Sequence, residues 1–170
     1  MKKFLMVLSL FSFILFSIYG CSSKYFKEGS LNSANFDKER IYKVVAMPVK
    51  LSGILSSKQK KDALYTHFIS SLMKIKNFEV VSRYDVENRL NIYGFGGGYV
   101  DETTAFQIAQ EFGADLVAFC EVSKSGNLFT ATVKIVDVNS HIEIYTGKGR
   151  GPEEELSIDL AMDFLKKSLK

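Results

Sequence analysis

Residues Leu128 to Val138 alternate in character. Phe129, Ala131, Val133 and Ile135 fall on one side, and Thr130, Thr132 and Lys134 on the other. A period of two over that length is a β-strand with one face covered and one face open. Such a strand needs a sheet to sit in and a layer to cover its apolar side. Its neighbours supply the sheet. Leu116–Ser123 is apolar enough to read as a buried strand, and Ser125-Gly126-Asn127 is a turn between the two. Asn139-Ser140 then leads into His141–Tyr145, where Ile142 and Ile144 face one way, so this pair is a hairpin.

The preceding part of the chain alternates strands with helices. Tyr42–Val49 is apolar and β-branched and is closed by Pro48, a buried strand. Ser56 or Ser57 caps a helix to about Lys76, with Leu64, Phe68, Leu72 and Ile75 on one face and Asn77 ending it. Phe78–Ser82 is a short strand, and Tyr84 to about Ile92 a short helix with Val86 and Leu90 inward. Tyr93–Val100 is a glycine-rich loop. Asp101 caps a third helix with Ala105, Ile108, Ala109 and Phe112 on its apolar face and Gly113 as its stop. Gly151-Pro152 opens a last helix with Pro152 at its first position, Leu156, Leu160, Phe164 and Leu165 supplying the buried face. The expected fold class is α/β (α+β): a mixed sheet of about five strands packed by about four helices, in the order β-α-β-α-α-β-β-β-α.

At 170 residues the chain is long enough for one domain. With 24% charged and 46% hydrophobic residues it is globular. The net charge of +3 is too small to indicate nucleic acid, and Lys2 and Lys3 account for two of those charges. Those two lysines head an unbroken run of apolar residues and serines from Phe4 to Ile18. That run falls short of the roughly 20 residues that span a hydrocarbon core, and it suits the h-region of a secretory signal. Ile18-Tyr19-Gly20-Cys21-Ser22-Ser23 follows, and it resembles a bacterial lipoprotein signal. The resemblance implies a signal peptide at 1–20 and cleavage before Cys21. It also implies a diacylglycerol thioether and an N-acyl chain (palmitate-type lipid) on that cysteine. No other cofactor is implied. Two or three acyl chains hold a protein stably at a bilayer. The absence of Asp after the cysteine resembles outer-membrane sorting, facing the periplasm. Residues 21–40 are rich in Ser, Asn, Lys and Gly and read as a lipidated flexible tether. Residues 41–170 are the single folded domain.

One series of segments resembles a known group. It comprises Met47-Pro48, Phe78-Glu79-Val80-Val81-Ser82-Arg83, Val100-Asp101-Glu102-Thr103-Thr104-Ala105 and Gly113-Ala114-Asp115-Leu116-Val117. It is similar to the envelope lipoproteins of the CsgG-like and LpoB-like type and to the amino-terminal domain of TolB. The resemblance covers roughly Tyr42 to Val138 and implies a non-catalytic module of the cell envelope. Such a module is held to a membrane by its lipid and works by binding another envelope protein or itself as a homo-oligomer. The alternative it implies is a subunit of an oligomeric CsgG-type outer-membrane secretion channel. The connections between expected elements are short, with no spare pair of membrane-crossing strands.

Candidate chemistry is sparse. Gly94-Phe95-Gly96-Gly97-Gly98 lies between two helices, not between a strand and a helix as a phosphate loop would. Asp101 and Glu102 also put negative charge where a phosphate would sit. The loop reads as a linker, or as a partner-binding loop formed by Phe95, Gly96, Gly97, Gly98 and Tyr99 with both aromatics exposed. Cys120 lies in an apolar strand and reads as a small buried hydrophobe. His67 and His141 lack a placeable third ligand for a metal, and no G-x-S-x-G motif is present. Lys58, Lys60 and Lys61 cluster at a helix start, either as a solvated face or as a contact for an acidic partner or lipid headgroup. The expectation is therefore no enzyme, no catalytic residue and no metal.

Overall fold

The computed structural model describes residues 25–54, 56–96 and 99–169. Along them run β1 (Phe26–Leu31), β2 (Tyr42–Ala46), β3 (Lys50–Ser52), α1 (Lys58–Met73), β4 (Phe78–Val80) and α2 (Arg83–Ile92). Then follow α3 (Glu102–Glu111), β5 (Leu116–Ser125), β6 (Leu128–Asp137), β7 (Glu143–Gly151) and α4 (Glu154–Ser168). The strands form one mixed sheet in the order β1-β7-β6-β5-β2-β4, with β3 also paired to β5. β2 is parallel to β4 and β5, and β3 is parallel to β5. From β5 through β6 and β7 to β1 the pairing is antiparallel.

Alternation along β2 and β5 divides two cores. Val44, Ala46, Leu116, Ala118 and Cys120 point to the face covered by α1 and α4. Val45, Met47, Val117 and Val136 point to the face covered by α2 and α3. The helices start where capping side chains stand. Ser57, Ser82 and Asp101 accept from the backbone N–H groups of Lys60, Asp85 and Thr104. Gly113 follows α3 at φ +60°, the left-handed stop that glycine adopts without penalty. α1 ends at Met73, before Asn77. The buried Asn77 amide instead donates to the Lys38 and Arg40 carbonyls at 2.6 and 3.1 Å.

The mixed α+β architecture agrees with the sequence expectation, and the sheet has seven strands among the described residues against about five. The two additions are β1 and β3. β1 lies inside the segment 21–40 expected as a flexible tether, which is corrected for residues 26–31. Its sequence FKEGSL has no apolar period, because an edge strand that donates its backbone to β7 needs none. The same segment is pinned by Phe36, buried and stacked on Tyr42 with ring centroids 4.7 Å apart.

β7 also runs through Thr146–Gly151, expected as a connection. Gly147 and Gly149 lie under α4. A Cβ on Gly147 would stand 2.1 Å from the Ala161 carbonyl oxygen, and one on Gly149 2.2 Å from that of Ser157. The glycines therefore let helix backbone approach sheet backbone. This close approach also rotates α4 from the expected face. Ser157, Ile158, Ala161, Met162 and Leu165 are buried, whereas Leu156 and Phe164 remain 38% and 42% exposed. Gly151 ends β7, and Pro152 precedes the helix, whose N-cap is Glu153. Ile142 lies before β7 and is exposed, while Ile144 is buried.

Candidate functional site

α4 packs across β7, β1 and β6 on one side of the sheet. On the other side, α2 and α3 cover the β2–β5 half and the Val136 end of β6, and among the described residues no helix lies over the rest of β6, β7 and β1. The strand register builds that open face as cross-strand rows. The first row runs Phe26, Arg150, Thr130, Ser123. The second runs Glu28, Lys148, Thr132, Glu121, and continues to Lys50 on β3. The third runs Ser30, Thr146, Lys134, Phe119. Polar residues thus occupy the side left uncovered, with apolar residues of the same strands beneath α4.

Apart from Arg150, charges on this face are paired with neighbours. Glu28 lies 3.6 Å from Lys148, and Lys50 lies 3.3 Å from Glu121. The Ser52 hydroxyl donates to Glu121 at 2.5 Å. That hydrogen bond, against slight burial and aided by Lys50, holds the Glu121 carboxyl below the usual carboxylate range. Lys134 reaches across to Glu102 at the start of α3, at 2.9 Å. Tyr99 stands at the rim, 54% exposed, with the Lys50 ammonium 4.8 Å from its ring centroid. Between Met47, Pro48, Tyr99, Phe119, Thr132 and Lys134 lies a cavity of about 220 Å³. It is smaller than the ~300–1,000 Å³ of ordinary small-molecule sites, and its size suits an inserted side chain.

The residues singled out in the sequence are dispersed. Cys21, Gly97 and Gly98 lie outside the described residues. Tyr99 is exposed as expected. Phe95 is not: it is half-buried and packs against the second core, its N–H donating to the Leu90 carbonyl at 2.9 Å. Gly96 has nothing near its Cα that a side chain would meet. Cys120 points into the first core, and burial pushes its thiol well up, which leaves it unreactive.

His67 on α1 faces Asp159 of α4 at 3.3 Å, whereas His141 stacks flat on Phe106 of α3, with ring centroids 4.3 Å apart. The two histidines therefore belong to opposite sides of the sheet. Lys60 pairs with Glu154 at 2.5 Å, and Lys58 and Lys61 are exposed. Among the described residues no three His, Cys, Asp or Glu side chains converge as a metal site would require. Among the same residues no helix is long and apolar enough to cross a membrane. The residues of the open face that sequence reasoning passed over are Glu28, Lys50, Glu121, Lys148 and Arg150. The Thr-Thr-Lys side of β6 pointed to that face, but only the sheet order shows that no helix of the described residues covers it.

The fold of this three-layer α+β domain is like that of LpoB. It is similar to the LpoB C-terminal domain from Salmonella enterica, at 18% identity and TM-score 0.51, over 66% of this chain and 83% of that one. It is similar to LpoB of Escherichia coli at 18% identity and TM-score 0.55, over 65% of this chain and 57% of that one. The lipoprotein GNA1162 from Neisseria meningitidis matches at 16% identity and TM-score 0.52, over 66% and 81%. At these identities the likeness is one of fold. No protein-family model and no curated protein matches the sequence.

Proposed function

We propose that this chain is a non-catalytic protein-binding module of the bacterial envelope, held to a membrane by lipid on Cys21. Its partner docks on the open face of β5, β6, β7 and β1. The observation that carries this reading is the half-covered sheet: among the described residues, the second side of β7, β1, most of β6 and the Glu121–Ser123 end of β5 bears charges, threonines and a side-chain-sized cavity with no helix over it. Mixed, mostly paired charges with an aromatic at the rim suit a polar protein interface better than an enzyme's pocket. Phe119 at the floor and Tyr99 at the edge offer apolar anchor points. Among the described residues of the glycine-rich loop, Tyr99 joins this surface. The lipoprotein-type signal and the LpoB-type fold both support an envelope location, the outer membrane facing the periplasm.

Photo-crosslinking side chains placed at Thr132 and Lys148, and at Ser70 on the exposed side of α1, test this in the native cell. Adducts with another envelope protein are expected from the first two positions and not from Ser70. Equal yields from all three, or none from the sheet, would remove the reading. An adduct with a second copy of this chain would turn it towards the homo-oligomer.

A further inference from the structure

The strands place one end of the body next to the anchor. β1 starts at Phe26, five residues after Cys21, so the two are at most about 17 Å apart however the link is drawn out. Phe26 pairs with Arg150, Arg150 with Thr130, and Phe129 with Gly151 and Lys124, which gathers the start of β1, the end of β7 and the β5–β6 turn at one end. The first turn of α1 lies there too, since the Lys60 and Lys124 ammonium groups stand 5.8 and 5.4 Å from the Phe129 ring centroid.

That end carries two unmatched features. Lys58, Lys61, Lys124 and Arg150 have no carboxylate within 4.0 Å among the described residues, unlike Lys60, which is held by Glu154. The Arg150 Nε is buried without a hydrogen-bond partner there. The acids near these cations are Glu153 and Glu155 at the start of α4 and Asp62, one turn into α1 and paired with Arg83, and the unpaired cations outnumber them. Interleaved with the cations are Tyr25, Phe26 and Leu156, each exposed by 38% or more. Exposed aromatic and aliphatic side chains among free lysines, at the root of a lipid anchor, match a bilayer surface. The apolar groups enter the interface while the ammonium groups meet headgroup phosphates.

We infer that the anchor end of the body, through Lys58, Lys61, Lys124 and Arg150 with Tyr25, Phe26 and Leu156, is a second membrane contact that seats on anionic lipid headgroups. This rests on acylation of Cys21 for its placement, though not for its chemistry. Seated so, the molecule stands with β1, β5, β6 and β7 running away from the bilayer, and the open sheet face stays accessible to a partner.

The test uses the mature chain purified from membranes, with the mass of its N-terminal peptide reporting acylation. The chain is placed in nanodiscs of phosphatidylcholine alone or with phosphatidylglycerol, and lysine acetylation rates are read site by site. Lys58, Lys61 and Lys124 are expected to react about fivefold more slowly in the phosphatidylglycerol discs, an effect removed by high salt. Lys74 and Lys76, at the far end of α1, are expected to be unchanged. Equal rates in the two discs on an acylated chain overturn the contact and leave the anchor intact. Protection that grows with protein concentration in either lipid also overturns it, because a second copy would then cover the surface.

If the peptide is unacylated, the anchor reading fails on its own, and residues 22–170, which keep both cores entire, decide the contact. Co-sedimentation with phosphatidylglycerol vesicles that K58E/K61E/K124E abolishes and K74E/K76E spares supports it. No sedimentation overturns it.

Discussion

Gly149 shows how far one missing side chain reaches. Its Cα faces the Ser157 carbonyl and the Ala161 N–H of α4, and an added Cβ would lie 2.2 and 2.4 Å from them. Backbone cannot yield as a flexible side chain does. Gly149→Ala should therefore destabilise the fold by about 3 kcal/mol, read as a lower urea midpoint with an unchanged m-value. Tyr145 closes the same contact. Its hydroxyl donates to the Ala161 carbonyl, and burial pushes the phenol up to about 12.

Asp159 makes a second residue-scale case. Partial burial raises its pKa, but the Ser71 hydroxyl at 2.9 Å, His67 and Lys166 together more than offset this and hold it below its ordinary 3.8. A carboxyl depressed in the folded state contributes stability above its unfolded pKa and loses it as pH falls through the folded value. Asp159→Asn should flatten the fall in stability below about pH 4, measured by urea titration at a series of pH values. The step should be small, because the side chain is substantially exposed.

Elements are held in different ways. β5 and β6 carry their own apolar pattern, and each residue's period places it. β1 has no such pattern. It is held by its ladder to β7, by Gly29 against Phe164, where a Cβ would sit 2.8 Å away, and by the Lys27–Asp163 pair at 2.8 Å. Lys27 and Lys167 together depress the Asp163 carboxyl through hydrogen bonds that outweigh its slight burial. Gly29→Val should therefore loosen this edge and leave the centre intact. Amide exchange of Phe26–Leu31 should approach that of an open chain while β5 and β6 keep their protection.

The same contrast explains what could be read in advance. β2, β5, β6, α1, α2 and α3 announced themselves by periodicity and caps. β1, β3 and the second half of β7 did not, because their order comes from neighbours. The glycines that make β7 fit beneath α4 look like a turn in isolation, and Ser157 and Ala161 do not look like a packing face.

At the scale of the molecule, the sheet joins the two cores. Adjacent residues of β2 and β5, such as Val44 and Val45 or Leu116 and Val117, enter opposite clusters. Neither cluster survives loss of those strands. Residues 41–170 with β1 should therefore unfold in one transition, with far-UV circular dichroism and tyrosine fluorescence giving the same midpoint. Two separated midpoints would mean that the layers fold independently.

The sequence alone determined the strand and helix periods and the caps, because each depends on residues close together in the chain. The candidate site was legible only in part. The polar side of β6 and the exposed Tyr99 could be read, but not their meeting with Glu28, Lys148, Arg150, Lys50 and Glu121. Tertiary structure decided that meeting, and it decided that α4 covers one side of β6, β7 and β1 while, among the described residues, most of the other side has no helix over it. Helix placement depends on how closely two backbones can approach, and here that distance is set by glycines of β7 paired across space with small residues of α4 eight or more positions away.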